Sequence, residues 1–226
     1  GSGGLVVDWD LRTTLPGLYA AGNQIAGQSG GHPGAATTGR YAGRKAAENA
    51  ATVDSVKPDR KQIDDEKTRV YQRVGQSGDV GWKELNSGTA RIMQIYCSAY
   101  KSERMLKTGL WWLDSIRESE VTRTYVRNPH ELERYIECLS RLTISEVIIN
   151  ASLARQSSSR LLDFNRVDYP EVEPREWHKY ITLKLEDDQV VTGSLPLDYY
   201  LAEPNADSFK ANYEVHASLE EVRTNG

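Results

Sequence analysis

The spacing of apolar and polar positions changes character several times along this chain, and each change marks a region. Near the N-terminus, Leu5-Val6-Val7 and Leu18-Tyr19-Ala20-Ala21 are short apolar runs separated by the turn Leu15-Pro16-Gly17, and both read as strands. The second run stops at Gly22-Asn23. A loop with Gly27, Gly30, Gly31, Pro33 and Gly34 follows and gives way to residues 35–51, whose alanine content favours helix. Residues 52–68 are polar and charged around one proline and read as a linker or solvated connection.

From 69 to 160 the apolar residues recur at helical spacing. Trp82, Leu85, Thr89, Ile92, Tyr96 and Ala99 form one stripe, and Leu106, Leu110, Leu113 and Ile116 a second. Asn128-Pro129 can cap and open a third helix carrying Leu132, Tyr135, Ile136, Leu139 and Leu142, and a further helix holds Ile144, Val147, Ile148, Ala151 and Ala154. The sum is an antiparallel bundle of three or four helices, with Met93, Trp111 and Trp112 as core positions. Beyond 160, Asp168-Tyr169-Pro170 breaks the pattern. Residues 180–185 and 190–192 then flank a turn at 186–189 as a hairpin, and the tail after Pro204 is polar. The expected fold class is α+β: a β–β–α segment over 1–51, a linker over 52–68, helices over 69–160 and a small C-terminal α+β region over 161–226.

Composition narrows the function classes. With 38% hydrophobic and 27% charged residues the chain is that of a water-soluble globular protein, and a net charge of −4 leaves no footprint for nucleic acid. No run approaches the ~20 apolar residues of a membrane span, so direct membrane insertion is not expected. Two cysteines, Cys97 and Cys138, are too few for an iron–sulfur cluster and too isolated for a structural zinc site. They read as reduced thiols on helix faces, which fits the cytoplasm.

A glycine loop running into an alanine-rich helix is the one feature with chemistry in it. Helix N-termini present unpaired N–H groups and a partial positive charge, and glycines let the backbone approach a ligand closely. Most such loops only turn the chain, so the physics alone leaves both readings open.

The wording of the segment adds to this. Gly3-Gly4, residues 14–22 (TLPGLYAAG) and Gly39-Arg40-Tyr41-Ala42-Gly43 resemble the second FAD-binding segment of the fumarate reductase/succinate dehydrogenase flavoprotein family. A later stretch with Arg166, residues 168–171 (DYPE), Glu176 and Trp177 is similar to the C-terminal segment of the same family, and residues 82–113 look like its helical domain. The resemblance covers roughly residues 3–200, in the family's order, and the spacing is most similar to the alpha subunit of adenylylsulfate reductase. It identifies the chain as the C-terminal portion of an FAD-dependent oxidoreductase. That implies electron transfer between FAD and a small anionic substrate, such as a dicarboxylate or adenylylsulfate. It also implies an iron–sulfur partner subunit, with any membrane association made through partners.

Carried over residue by residue, the resemblance implies that Gly22 and Asn23 lie near the ribityl–phosphate part of FAD. The backbone at Ala35, Ala36, Thr37 and Thr38 would then face the pyrimidine edge of the flavin ring. Asn23 stands where the family usually has an acid, so its contact would be made by an amide. His32 is the candidate for catalytic proton transfer as well as substrate binding. It lies where many members carry a substrate-binding histidine, but the paired arginine of that motif is missing, and Arg40 is the candidate to replace it as an anion partner. Solvated side chains remain the alternative for both. Arg155, Arg160 and Arg166 surround a serine run, and structural ion pairs with Asp168 and Glu171 are favoured over anion binding. A G-x-G-x-x-G pyrophosphate loop is absent from these residues, so they should neither hold FAD tightly nor turn over alone. The competing class is a non-enzymatic helical subunit-interaction domain.

Overall fold

The computed structural model describes residues 3–27, 30–54, 57–187 and 189–199. The polar tail after Pro204 and the Asp188 position of the hairpin turn lie outside them. The chain divides into two compact units, Gly1–Val56 with Pro196–Gly226, and Lys57–Leu195.

In the first unit the two apolar runs make isolated bridges and no continuous ladder. Leu5 pairs with Ile25 in parallel, and Arg12 with Tyr19 antiparallel. Gly4 explains the first pairing: a Cβ there would sit 2.6 Å from the Ala26 nitrogen and 2.7 Å from the Gln24 carbonyl oxygen. Without one, the Leu5 N–H reaches the Gln24 carbonyl at 2.7 Å and the Ala26 N–H reaches Leu5 at 3.0 Å. Val7, Ala20 and Ile25 form a small core with Leu11 against it. Helix α1 spans Gly31–Thr52, so it begins inside the expected glycine loop, four residues before position 35.

The second unit is mostly helical: α2 (Arg60–Tyr71), α3 (Trp82–Tyr96), α4 (Glu103–Ser115), a π-helical turn (Ile116–Glu120), a last helical turn α5 (Val121–Arg123) and α6 (Pro129–Ala154). The expected linker is half helix. Asp59 caps α2 by accepting from the N–H groups of Lys61 and Gln62, and no α2 residue is buried. Charged helix formers with a good cap make a solvated helix there.

The core joins Leu85 and Ile92 of α3, Leu106 and Leu113 of α4, Ile116, and Tyr135, Cys138, Leu142 and Ile149 of α6. Two expectations fail here. The third and fourth expected helices are one continuous helix of 26 residues, because residues 139–146 contain neither Gly nor Pro to stop it. Its core face runs Tyr135, Cys138, Leu142, Ser145, Ile149 and Ser152, which leaves Ile144, Val147 and Ile148 exposed. Trp111 and Trp112 are also not core: they are 60% and 41% exposed. At about 100° per residue they point away from the buried Leu106–Gly109–Leu113 stripe. Met93 does pack against the core.

Caps set the ends of α6 and α4. Asn128 accepts from the Glu131 N–H at 2.9 Å, Pro129 occupies the first helical position, and Glu131 accepts from the Arg127 N–H at 2.8 Å. Asn128→Ala should destabilise the helical unit by about 1 kcal/mol, read as a lower urea midpoint with unchanged slope.

Four short strands complete the unit. β1 (Tyr100–Lys101) pairs in parallel with β2 (Asn165–Arg166), a pairing that the sequence did not announce. The expected hairpin is present as β3 (Lys179–Glu186) and β4 (Gln189–Pro196). The fold class is α+β, as expected. No described helix is long and apolar enough to cross a membrane.

Candidate flavin-facing site and the family it belongs to

Position 22 is where the second apolar run must turn sharply into α1. Gly22 is buried, opens the 3-10 turn Gly22–Gln24 and has φ +64°, a left-handed conformation that suits glycine. A Cβ on it would lie 3.2 Å from Ala35 Cβ. Its N–H donates to Thr38 Oγ1 at 2.8 Å, and the Thr38 hydroxyl donates to the Gly34 carbonyl at 2.6 Å. One threonine thus ties the turn to the second turn of α1. Thr38→Val removes that acceptor and should raise the amide exchange rate of Gly22 by about fivefold to tenfold, since one hydrogen bond contributes about 1 kcal/mol.

The rest of α1 is held further along. Tyr41 donates its hydroxyl to Asp10 Oδ1 at 3.2 Å, and Lys45 Nζ lies 3.5 Å from the same oxygen. Asp10 is presented by a tight loop in which Asp8 Oδ1 accepts from the N–H groups of Asp10 and Arg12, both at 2.9 Å.

The start of α1 is electrostatically open. Its N-cap is Gly30, with no side-chain cap, and its first turn holds no acidic residue. The Gly31 and His32 N–H groups have no acceptor among the described residues, and Pro33 has none to offer. Ala35, Ala36 and Thr37 are exposed, Thr38 is half-buried and Asn23 is exposed in the neighbouring turn. The structure therefore brings Gly22, Ala35 and Thr38 together beside an uncapped helix N-terminus with about half a unit of positive charge.

His32 and Arg40 are not brought together. His32 lies in the first turn of α1 rather than in a loop, and eight residues of helix put Arg40 about 12 Å further along the axis. Both are exposed.

Around the serine run the structure shows what Arg166 does. Only 1% exposed, it donates from Nε and Nη2 to the two Asp168 carboxylate oxygens, both at 2.8 Å. Its Nη1 donates to the carbonyls of Ser152 at 2.6 Å and Arg155 at 2.8 Å, at the end of α6. Asp168 Oδ2 in turn accepts the Glu103 N–H at 2.7 Å, at the start of α4. One ion pair thus closes the C-terminus of one core helix and the N-terminus of another. The hydrogen bonds from Arg166, helped by the Glu103 N–H, hold the Asp168 carboxyl at a pKa of about 2. Arg155 is half-buried, with its Nη1 on the Trp177 carbonyl at 3.3 Å, and burial pushes its pKa down. Arg160 is exposed. The sequence signal for the Arg166 role was the Arg-x-Asp spacing, which also fits a surface pair.

Among the described residues no group of three or more His, Cys, Asp and Glu side chains could hold a metal ion. Cys97 and Cys138 are both free thiols, and burial raises the pKa of each.

A family model described as fumarate reductase flavoprotein C-term matches residues 87–209, more than half of the chain. The chain belongs to that family. No curated protein matches it. Among solved structures it is similar to adenylylsulfate reductase from the hyperthermophilic Archaeoglobus fulgidus, with a TM-score of 0.75 and 22% identity over 82% of this chain and 32% of that one. It is also similar to E. coli quinol fumarate reductase FrdA, with a TM-score of 0.73 and 20% identity over 90% of this chain and 37% of that one. Mycobacterium smegmatis Sdh1 gives a TM-score of 0.72 and 19% identity over 97% of this chain and 38% of that one. At these identities the likeness is one of fold. The chain spans about a third of the length of each of these structures.

Proposed function

We propose that these residues are the C-terminal part of an FAD-dependent oxidoreductase subunit, in which the start of α1 forms one wall of the flavin site. The observation that carries this reading is the uncapped N-terminus of a 22-residue helix set beside the buried, left-handed Gly22 turn. A flavin ring edge or a polyol–phosphate chain fits there, because the helix start offers N–H donors and positive potential and Gly22 leaves no side chain in the way. When bound, FAD would supply the electron-carrying chemistry.

The chain's own residues do the positioning. Thr38 fixes the Gly22 turn against α1 and so fixes the direction of the helix N–H groups. The first turns of α1 favour negative charge on the ring edge they face. Asn23, exposed in the same turn, would bond a ribityl or ribose hydroxyl through its amide. His32 lies in the first turn, where it could carry a proton or bind an anionic substrate. Arg40, about 12 Å further along α1, serves a second anionic group of the substrate.

The substrate class is a small anion, a dicarboxylate or adenylylsulfate, and the electron partner is an iron–sulfur subunit. The setting is cytoplasmic, with any membrane association made through partner subunits. Anaerobic stopped-flow on the complete subunit carrying this chain tests the reading. Reduced flavin should be reoxidised by fumarate or by adenylylsulfate, and reoxidation by neither would overturn the substrate class.

A further inference from the structure

Two cations are buried side by side where β1 meets β2. The register of this parallel pair sets Lys101 against Arg166, so their side chains share a face. Lys101 is 4% exposed and Arg166 1%. Arg166 has a carboxylate of its own in Asp168. Lys101 has none: its Nζ donates to the Ala99 carbonyl at 3.3 Å and lies 4.2 Å from the centre of the Phe164 ring, with no ion pair among the described residues. One carbonyl and one ring face replace only part of the hydration that an ammonium with three donors gives up on burial.

The groups around it leave that charge uncompensated. From the turn before β2, Asp163 attracts it from beyond ion-pair distance, and that carboxylate accepts from the Asn165 side-chain amide at 3.4 Å. Asp168 is held by Arg166 and the Glu103 N–H. Just past α3, Cys97 is a thiol whose own pKa is raised by burial. Arg155, at the end of α6, lies 6.0 Å from the centre of the same Phe164 ring. Burial pushes the Lys101 pKa below its ordinary 10.5; Cys97 and Asp163 oppose the shift and Arg166 adds to it. The strand pairing depends on the same carbonyl that Lys101 uses. The Asn165 N–H donates to Ala99 at 3.0 Å and the Val167 N–H to Lys101 at 2.9 Å. A charged Nζ is the stronger of the two donors on Ala99 and draws on the acceptor that ties β2 to β1.

We propose that the β1–β2 junction is a proton-sensitive latch: a proton gained on Lys101 loosens the pairing, and its loss tightens it. Protonation restores the repulsion between two opposed buried cations and the competition for the Ala99 carbonyl. Loss of the proton removes both. The folded state holds this proton less tightly than the unfolded chain does. Its stability therefore rises with pH between the folded value and 10.5. Below the folded value the full cost of the buried charge is present, and above 10.5 it is gone. The latch does not depend on the flavin reading.

The test uses the 226-residue chain, labelled with carbon-13 and followed by nuclear magnetic resonance from about pH 7 to about pH 10.5. One lysine Cε signal should titrate below all the others and be missing from Lys101→Met. The Cα signals of Asn165 and Val167 should move with that same midpoint, which is the readout specific to the junction. Urea unfolding over the same range gives the linkage: the folding equilibrium constant should rise at least about threefold more in the native chain than in Lys101→Met. Lys67→Met, which removes an exposed lysine of α2, should follow the native chain. Should Lys101→Met fail to fold, the titration of the native chain and its Asn165 and Val167 signals decides alone. A Lys101 signal that titrates with the exposed lysines overturns the proposal. So do Asn165 and Val167 signals that ignore the Lys101 midpoint.

Discussion

Arg166→Met should lower the unfolding free energy by about 3–5 kcal/mol, the cost of breaking a buried ion pair by removing one partner. The large value follows from what the guanidinium reaches. Methionine fills similar volume but leaves the last carbonyls of α6 without donors and the Asp168 carboxylate without its cation. It also loosens the Glu103 N–H contact at the start of α4, because that carboxylate is held in place by Arg166. Urea unfolding followed by circular dichroism measures the loss. The same pair gives a pH signature. The Asp168 carboxyl titrates at about 2 in the folded state, against 3.8 as its ordinary value. Its stabilisation is therefore fully present above about pH 4–5 and is lost as the pH falls towards 2. In Arg166→Met that acid-side loss should be largely absent, which separates the ion pair from general acid unfolding.

Gly22→Val should be strongly damaging to the packing of the turn against α1. A β-branched residue held at φ +64° costs about 1–2 kcal/mol of backbone strain, and its Cβ meets Ala35 Cβ at 3.2 Å, adding about 1–3 kcal/mol of overpacking. Together that is about 2–5 kcal/mol, enough to part the turn from α1 and break the Gly22–Thr38 hydrogen bond. Hydrogen exchange should show protection in the first half of α1 falling at least about thirtyfold. Gly39→Ala is the control: its Cβ meets nothing within 4 Å, so protection there should hold or rise slightly. If the two substitutions behaved alike, the turn would not be what holds the helix start.

How far the sequence could be read depended on whether a local pattern had one physical solution. The stripe of Leu85, Thr89 and Ile92 had one, and all three are buried. Leu106 and Leu113 are buried for the same reason. The tryptophans were misread because size and hydrophobicity were weighed above angular phase, although Trp111 lies about 140° around the helix from Leu106. The expected fourth helix came from the same kind of error: a break assumed after Leu142 reset the phase and placed Ile144, Val147 and Ile148 inward. In the glycine segment the sequence did not show the first turn of α1, because glycines and a proline at a helix start look like loop. Pro33 is tolerated there because first-turn N–H groups have no partner within the helix. The Arg166–Asp168 ion pair was legible as a structural pair, but the helix ends that it closes were not. That closure depends on two helix ends meeting in space, which the Arg-x-Asp spacing does not show.

The central claim, that the uncapped start of α1 faces the flavin, is tested most directly by the midpoint potential of the flavin in the complete subunit carrying this chain. The comparison is between the native protein and Ala35→Asp. A carboxylate near the helix start cancels part of its positive field, so the reduced flavin loses stabilisation and the potential should fall by roughly 10–20 mV. A colourless subunit, or a fully bound flavin whose potential is the same in both proteins, would contradict the account.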